Sequence, residues 1–537
     1  MAQVTEHPDT AMRLESSLPD WCILSWRHLL VCISFVVMFL YFSYLPIPVS
    51  STWHDLWTGG TIASEGLYAT DPSLPLADGV RHHTNGWLGR VIVFRLFQQG
   101  GYDLLSFSFA ALQTLTVTLW AFLLLRVSSR WWVGLLAVVT TLVCGWTQEG
   151  LTTLTLAQLC FAIVACLLFG NARRDSQIGI LPSFLHWLAL LSTMLLWTNV
   201  DGSFVLGWSL IFLLLVSRGI DVLARPDGKT RIKALLADAE LRQWLVLLEV
   251  FVLVALVNPL GWQLHQALLW WPDQPTWQSL GAWQPLSLAS WQGLAFATLW
   301  GGWLFASRYA NRIMTWQWLL PVAGSVLVAT CQISLVWLAP LTLLSACTML
   351  PPLQELAAPL SLKRNSAAGS DEPVPLQFAV TLLCGLVLWL GFTFSPFSHV
   401  VLGGQGRTDS QLLGAAYPSP VIGVLGSSQL ANQGKNDGLL WCPAYWSDAL
   451  QSPTDIKPVF ANRDMQSLPG QVQADYRAIF NGADRWRKLL DQYNVTKVLI
   501  DKRRQANLLK LVRRQPGKWK IVHEDAQAVI LLRRAAS

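Results

Sequence analysis

Residues 103–125 read DLLSFSFAALQTLTVTLWAFLLL, and residues 131–147 resume as WWVGLLAVVTTLVCGWT after Arg126 and Arg130. The first run holds one charge, at its edge, and the second holds none. About 20 mostly apolar residues cross a bilayer as a helix. Two such runs joined by a short basic turn read as a pair of membrane spans. The rest of the chain repeats the pattern. Further apolar stretches lie at about 28–46, 151–169, 180–198, 203–223, 243–261, 288–306, 316–331, 333–350 and 376–397. The expected fold is a polytopic α-helical membrane protein of about 11 spans.

Composition agrees. Of 537 residues, 53% are hydrophobic and 13% charged, against roughly a quarter charged in soluble proteins. That density excludes a soluble globular protein of this size and an intrinsically disordered one. Tryptophan is abundant, at 29 residues, and its amphipathic ring favours the membrane–water interface. Eight of the nine cysteines lie in or beside apolar runs, and only Cys442 sits in polar text. No paired framework or C-x-x-C spacing points to a disulfide scaffold or a zinc site.

Charge divides the chain. Residues 1–398 carry 19 Lys and Arg against 21 Asp and Glu, whereas residues 399–537 carry 19 against 11. The expected organisation is an N-terminal segment (1–27), a transmembrane module (28–350) with a long first loop (47–102), a linker (351–375), a last span (376–398) and a basic soluble tail (399–537). Segment 1–27 is acidic in places and lacks a small-residue cleavage site, so it reads as an uncleaved anchor region. One set of loops holds Arg126 and Arg130, Arg173 and Arg174, six basic residues from Arg218 to Arg242, Arg308 and Arg312, and Lys363 and Arg364. The opposite short loops hold only Arg81, Arg90 and Arg95. The positive-inside rule then puts the N-terminus in the cytoplasm, and the first loop and the tail outside. In a bacterium these would be periplasmic elements of an inner-membrane protein.

Within the tail, Val421–Leu425, Val459–Ala461, Lys497–Ile500 and Ala528–Leu532 read as strands, and Ala483–Tyr493 and Gln505–Arg514 as amphipathic helices. A small α/β domain is expected. Its helix at 501–515 carries six Lys and Arg; a solvated face is the first reading, and contact with anionic lipid, a lipid-linked donor or an acidic polysaccharide the second. An outer location excludes nucleic acid as a partner.

Polar residues gather on the outer side. The first loop holds His54, Asp55, Glu65, Asp71, Asp78, His82 and His83, with amphipathic stretches at about 54–65 and 86–98. Span ends on the same side carry Asn199 and Asp201, Asn258 before Pro259 and Gly261, Gln284 before Pro285, and Gln332. Helix punctuation explains each singly. Their one-sidedness asks for more, because polar groups near lipid are costly unless paired or used.

These junctions resemble the GT-C superfamily of integral-membrane glycosyltransferases, in a bacterial branch with a large first outer loop and a C-terminal periplasmic domain. The family text D-x-W-W-H-L-x-T-G is matched by Ser51–Gly59, T-D-P by Thr70–Pro72, and H-E-W-L by Asn85–Leu88. N-x-H-G is similar to Asn199–Gly202, N-P-x-G to Asn258–Gly261, and E-W-x-P to Ala282–Pro285. The tail text VFANRDMQSLPGQVQADYRAIF (459–480) and its finish WKIVHEDAQAVILLRR (519–534) also resemble the branch. The family's acids fall at Ser51, Gly86 and Ala282, and its arginine at Gln332. Asp55 and Asp201 stand where the branch tends to have histidine.

The resemblance implies sugar transfer from a polyprenyl-phosphate donor to a glycan or lipid acceptor, among membrane lipids. The acceptor hydroxyl then needs a carboxylate as general base, and the leaving phosphate needs a cation. Asp55 is the first candidate for the base and Asp71 the second. Arg81 and Arg90 are candidates for the lipid phosphate. His54, His82, His83, Asn199, Asp201, Asn258 and Gln284 are candidates for substrate binding. A divalent cation is compatible with this chemistry, with Asp201 as a ligand. The departures at Ser51, Gly86 and Ala282 leave a second expectation: a catalytically degenerate scaffold or glycan-binding protein of the same fold.

Overall fold

The structure is a computed structural model describing residues 24–47, 51–67, 74–77, 85–128, 130–144, 150–170, 183–224, 231–269, 284–350, 374–414, 417–425, 438–454, 458–515 and 517–534. The membrane module is built from α1 (Trp26–Tyr44), α2 (Ser51–Glu65), α3 (Trp87–Ser128), α4 (Trp132–Cys144), α5 (Thr153–Phe169), α6 (Phe184–Val200) and α7 (Val205–Leu223). It continues with α8 (Ala239–Val254), α9 (Trp262–Leu269), α10 (Trp291–Ser307), α11 (Thr315–Thr330), α12 (Leu335–Met349) and α13 (Val374–Thr393). Each of the eleven apolar stretches contains a helix. Four described helical segments are both long and apolar enough to cross a membrane: Trp26–Tyr44, Trp87–Ser128, Gly202–Leu223 and Gln332–Met349. Shorter apolar helices include Trp132–Cys144, Thr153–Phe169, Phe184–Val200 and Phe378–Thr393.

Helices suit this setting because each satisfies its own backbone where no water can. Their outward faces are apolar: Phe184 and Leu185 are 77% and 72% exposed, and Leu382, Leu388 and Trp389 are exposed on α13. Such surface needs lipid to cover it. The interior packs by aromatic contact. Phe161 meets the rings of Trp120, Trp197 and Trp337 at 5.8, 5.9 and 5.1 Å.

One expected boundary is a bend. The amphipathic stretch near 86–98 and the span from 103 are two helices run end to end, together labelled α3, that meet at the non-helical residues Gly100 and Gly101. Gly101 has φ +60° and ψ −151°, a conformation open essentially to glycine alone. The paired glycines make the joint between the two helices.

The tail contains α14 (Ser419–Leu425), β1 (Leu439–Trp441), α15 (Ala444–Thr454), α16 (Gly470–Asn481), α17 (Trp486–Gln492), β2 (Val495–Asp501), α18 (Ala506–Arg513), β3 (Trp519–Glu524) and β4 (Ala528–Arg533). The sheet order is β1-β2-β4-β3, with β1 parallel to β2 and the other pairs antiparallel. The small α/β domain is therefore present, with local corrections. Residues 421–425, expected as a strand, are helical: Pro420 suits a first helical turn, and Val421 and Leu425 bury one face at i, i+4 spacing. Val459 makes a single bridge to Leu440. β3 was not anticipated, because an edge strand with mostly exposed side chains shows little alternation.

The tail is fused to the first-loop end of the module. Leu412, Leu413, Tyr417 and Ala449 belong to the same hydrophobic core as α1, α2 and α3. The Ile47 N–H donates to the Leu412 carbonyl at 2.8 Å. Arg407 binds the Asp103 carboxylate at 3.2 Å and the Ser43 carbonyl at 3.2 Å.

Candidate active site between the first-loop helix and the tail

The site begins with α2. Trp53 is buried beside Tyr102 and stacked on Tyr417 of the tail, with centroids 5.6 and 5.2 Å away. Gly59 lets α2 cross α3 closely, since a Cβ there would lie 2.2 Å from the Arg90 carbonyl oxygen. Successive helical side chains point in different directions. His54 and Asp55 accordingly reach different partners, and both are buried.

Asp55 Oδ2 accepts from the Thr153 N–H at 3.0 Å, and Oδ1 lies 3.5 Å from Arg90 Nε. The Thr153 hydroxyl donates to Asp201 Oδ2 at 2.8 Å, while Asp201 Oδ1 accepts from the Ser203 N–H at 2.8 Å. Asp55 and Asp201 thus meet at one residue, the first of α5. Burial pushes the Asp55 carboxyl above its ordinary range, with Arg90, His54, Thr153 and Arg463 pulling the other way. Arg90 Nε and Nη1 are buried without a hydrogen-bond partner, and unpaired buried donors are uncommon in folded proteins.

The tail closes this cluster. His54 Nδ1 lies 3.3 Å from Asp448 Oδ1 on α15, and the Arg463 N–H donates to Asp448 Oδ2 at 3.4 Å. Burial lowers the Arg463 pKa, opposed by attraction to Asp55 and Asp448. Asp448, Arg463 and Thr153 were not singled out from the sequence. The polar triplet Asn462–Arg463–Asp464 after an apolar run was the available signal for the tail.

Beside the cluster is an open groove of about 670 Å³, lined by Trp87, Leu88, Leu195, Asn199, Val257 and Asn258 among others. Asn199 and Asn258 form its wall. Asn199 Oδ1 accepts from Trp87 Nε1 at 2.9 Å, and its Nδ2 donates to the Leu195 and Val257 carbonyls at 2.9 and 3.0 Å. Asn258 Nδ2 donates to the Thr198 carbonyl at 3.0 Å, and its Oδ1 accepts from the Leu260 N–H. Both amides, expected to bind substrate, spend these bonds on joining α3, α6 and α8. Gln284 is exposed and outside the cluster; its backbone carbonyl accepts from the Gln332 N–H at 2.8 Å. Asp71, Arg81, His82 and His83 lie outside the described residues.

Gly86, where the resembled family has glutamate, has φ +75°, and a Cβ there would lie 2.6 Å from the Val200 carbonyl oxygen. This backbone has no room for an acid at that position. Among the described residues, no group of three or more His, Cys, Asp and Glu is placed to hold a metal. Asp55 faces Arg90, and both Asp201 oxygens are engaged by Thr153 and Ser203.

The fold and the cluster together define a polytopic membrane protein whose soluble C-terminal domain closes over an acid of the first loop. No family model and no curated protein matches the chain. Among solved structures it is similar to ArnT from Cupriavidus metallidurans in the apo state (TM-score 0.48, 13% identity, 94% of this chain and 97% of that one). The same protein bound to undecaprenyl phosphate gives TM-score 0.46 and 14% identity over 95% and 98% of the chains. The archaeal oligosaccharyltransferase AglB from Archaeoglobus fulgidus, in complex with an inhibitory peptide and a dolichol-phosphate, gives TM-score 0.45 and 12% identity over 92% and 73%.

Proposed function

We propose that the chain is a GT-C-like glycosyltransferase of the bacterial inner membrane. It moves a sugar from a polyprenyl-phosphate donor to an envelope or exported glycan or lipid acceptor at the outer face. The observation that carries this reading is the meeting of Asp55, Arg90, Thr153 and Asp201 beside an open apolar groove. The groove's leucines and Trp87 suit an isoprenoid chain, and Arg90 stands one helical turn beyond Trp87. In this reading Asp55 takes the proton of the acceptor hydroxyl. The acceptor oxygen bonds to the anomeric carbon as the bond from that carbon to the phosphate oxygen breaks. The unpaired donors of Arg90 hold the phosphate as it leaves.

The test offers purified protein a panel of polyprenyl-phosphate sugars and measures transfer for wild type, Asp55→Asn and Asp71→Asn. Expected is turnover by wild type and a loss of at least about 100-fold in Asp55→Asn. Turnover untouched by the Asp55 change would remove the assignment of the base. A second reading, a non-catalytic scaffold, is favoured by the burial of Asp55 among protein partners. It predicts no transfer from any donor.

A further inference from the structure

Asp448 has none of its surface exposed. A carboxylate taken out of water needs partners, and Asp448 finds one on each side of the boundary between tail and module: the Arg463 N–H of the tail on Oδ2 and His54 Nδ1 of α2 near Oδ1. The charged groups around His54 are Asp448 and Arg463 from the tail, Asp55 from α2 and Arg90 from α3. A carboxylate against one imidazole nitrogen selects the tautomer with the proton on that nitrogen. In the neutral ring Nδ1–H then donates to Asp448, and Nε2 carries the lone pair. No described residue hydrogen-bonds Nε2.

We propose that Asp448 is a positioning residue that holds His54 so that Nε2 accepts a hydrogen bond from a hydroxyl of the acceptor. This rests on the glycosyltransferase reading above. His54 and Asp55 are consecutive on a helix, so their side chains diverge by about 100°. One hydroxyl cannot serve both. The acceptor therefore presents at least two hydroxyls, as a sugar does: Asp55 takes the reacting one and His54 a neighbour. The tail thereby contributes to acceptor selection without touching the acceptor.

The experiment compares octyl glucoside with octanol as acceptors for the full-length protein, in wild type, Asp448→Asn, Asp448→Glu and His54→Gln. An asparagine can present its own N–H to Nδ1 and so favour the other tautomer. Expected is an increase of about 10-fold in KM for octyl glucoside in Asp448→Asn, the worth of one hydrogen bond. The KM for donor stays unchanged, Asp448→Glu recovers part of the loss, and octanol shows no difference between wild type and variant. An equal loss with octanol, or an unchanged KM for octyl glucoside, overturns the proposal. Imidazole 15N shifts of His54 give a readout free of turnover: the protonated nitrogen changes from Nδ1 to Nε2 in Asp448→Asn. A wild type that transfers no sugar defeats the glycosyltransferase reading, and an unchanged 15N pattern separately defeats the role of Asp448.

Discussion

Asp55 is poised between two influences. Burial favours its neutral acid, and Arg90, His54, Thr153 and Arg463 favour its carboxylate, with burial the larger. Its folded pKa lies above that of a free aspartate, so it keeps its proton at pH values where surface acids have lost theirs. A base must be ionised to act. Turnover is therefore expected to rise with pH through a limb displaced above the ordinary carboxylate range. Asp55→Glu should move that limb, as read from kcat/KM against pH, and Asp71→Asn should leave it in place. At the same scale, Asn199 belongs to architecture. Asn199→Ala strands the Trp87 N–H and takes away the side-chain donor to the Val257 carbonyl, at a cost of about 1–3 kcal/mol. A lowered melting temperature should report it. Part of this was legible beforehand: Asp55 and Asp201 stand out as acids in sparse text. Their meeting at Thr153 was not, because threonine at a helix start is ordinary capping chemistry.

Among elements, α3 carries the most consequence. Its first arm holds Arg90 against Asp55, its second arm packs in the helical core, and Gly100 and Gly101 set the angle between them. The helical pieces could be read from apolar runs, since lipid demands length and composition that few other settings do. The joint could not, because a glycine pair reads equally as a loop. The glycine at 86 is a different case. Placing the resembled family's acid here with Gly86→Glu forces a side chain against the Val200 carbonyl from a left-handed backbone. It is expected to lower thermal stability and give no gain in transfer, whereas a simple catalytic deficit at this position would be repaired by the added acid.

For the whole molecule, the division into membrane module and basic tail was visible in charge alone. The route by which the tail enters the site was hidden, because Asp448 and Arg463 are commonplace residues in a soluble domain. Only the docking of α15 on α2 gives them their meaning. If the tail faces outward, a membrane-impermeant thiol reagent should label Lys510→Cys in intact spheroplasts and leave Arg308→Cys unlabelled until the membrane is opened. The reverse pattern would overturn the assigned orientation.

The His54–Asp448 contact spans 394 positions of the chain. At roughly 5–20 residues per second of synthesis, the ribosome makes the second partner about 20–80 s after the first. During that interval α2 has neither Tyr417 to stack on nor Asp448 to bind. In the glycosyltransferase reading, the site is therefore incomplete until the tail docks on α2.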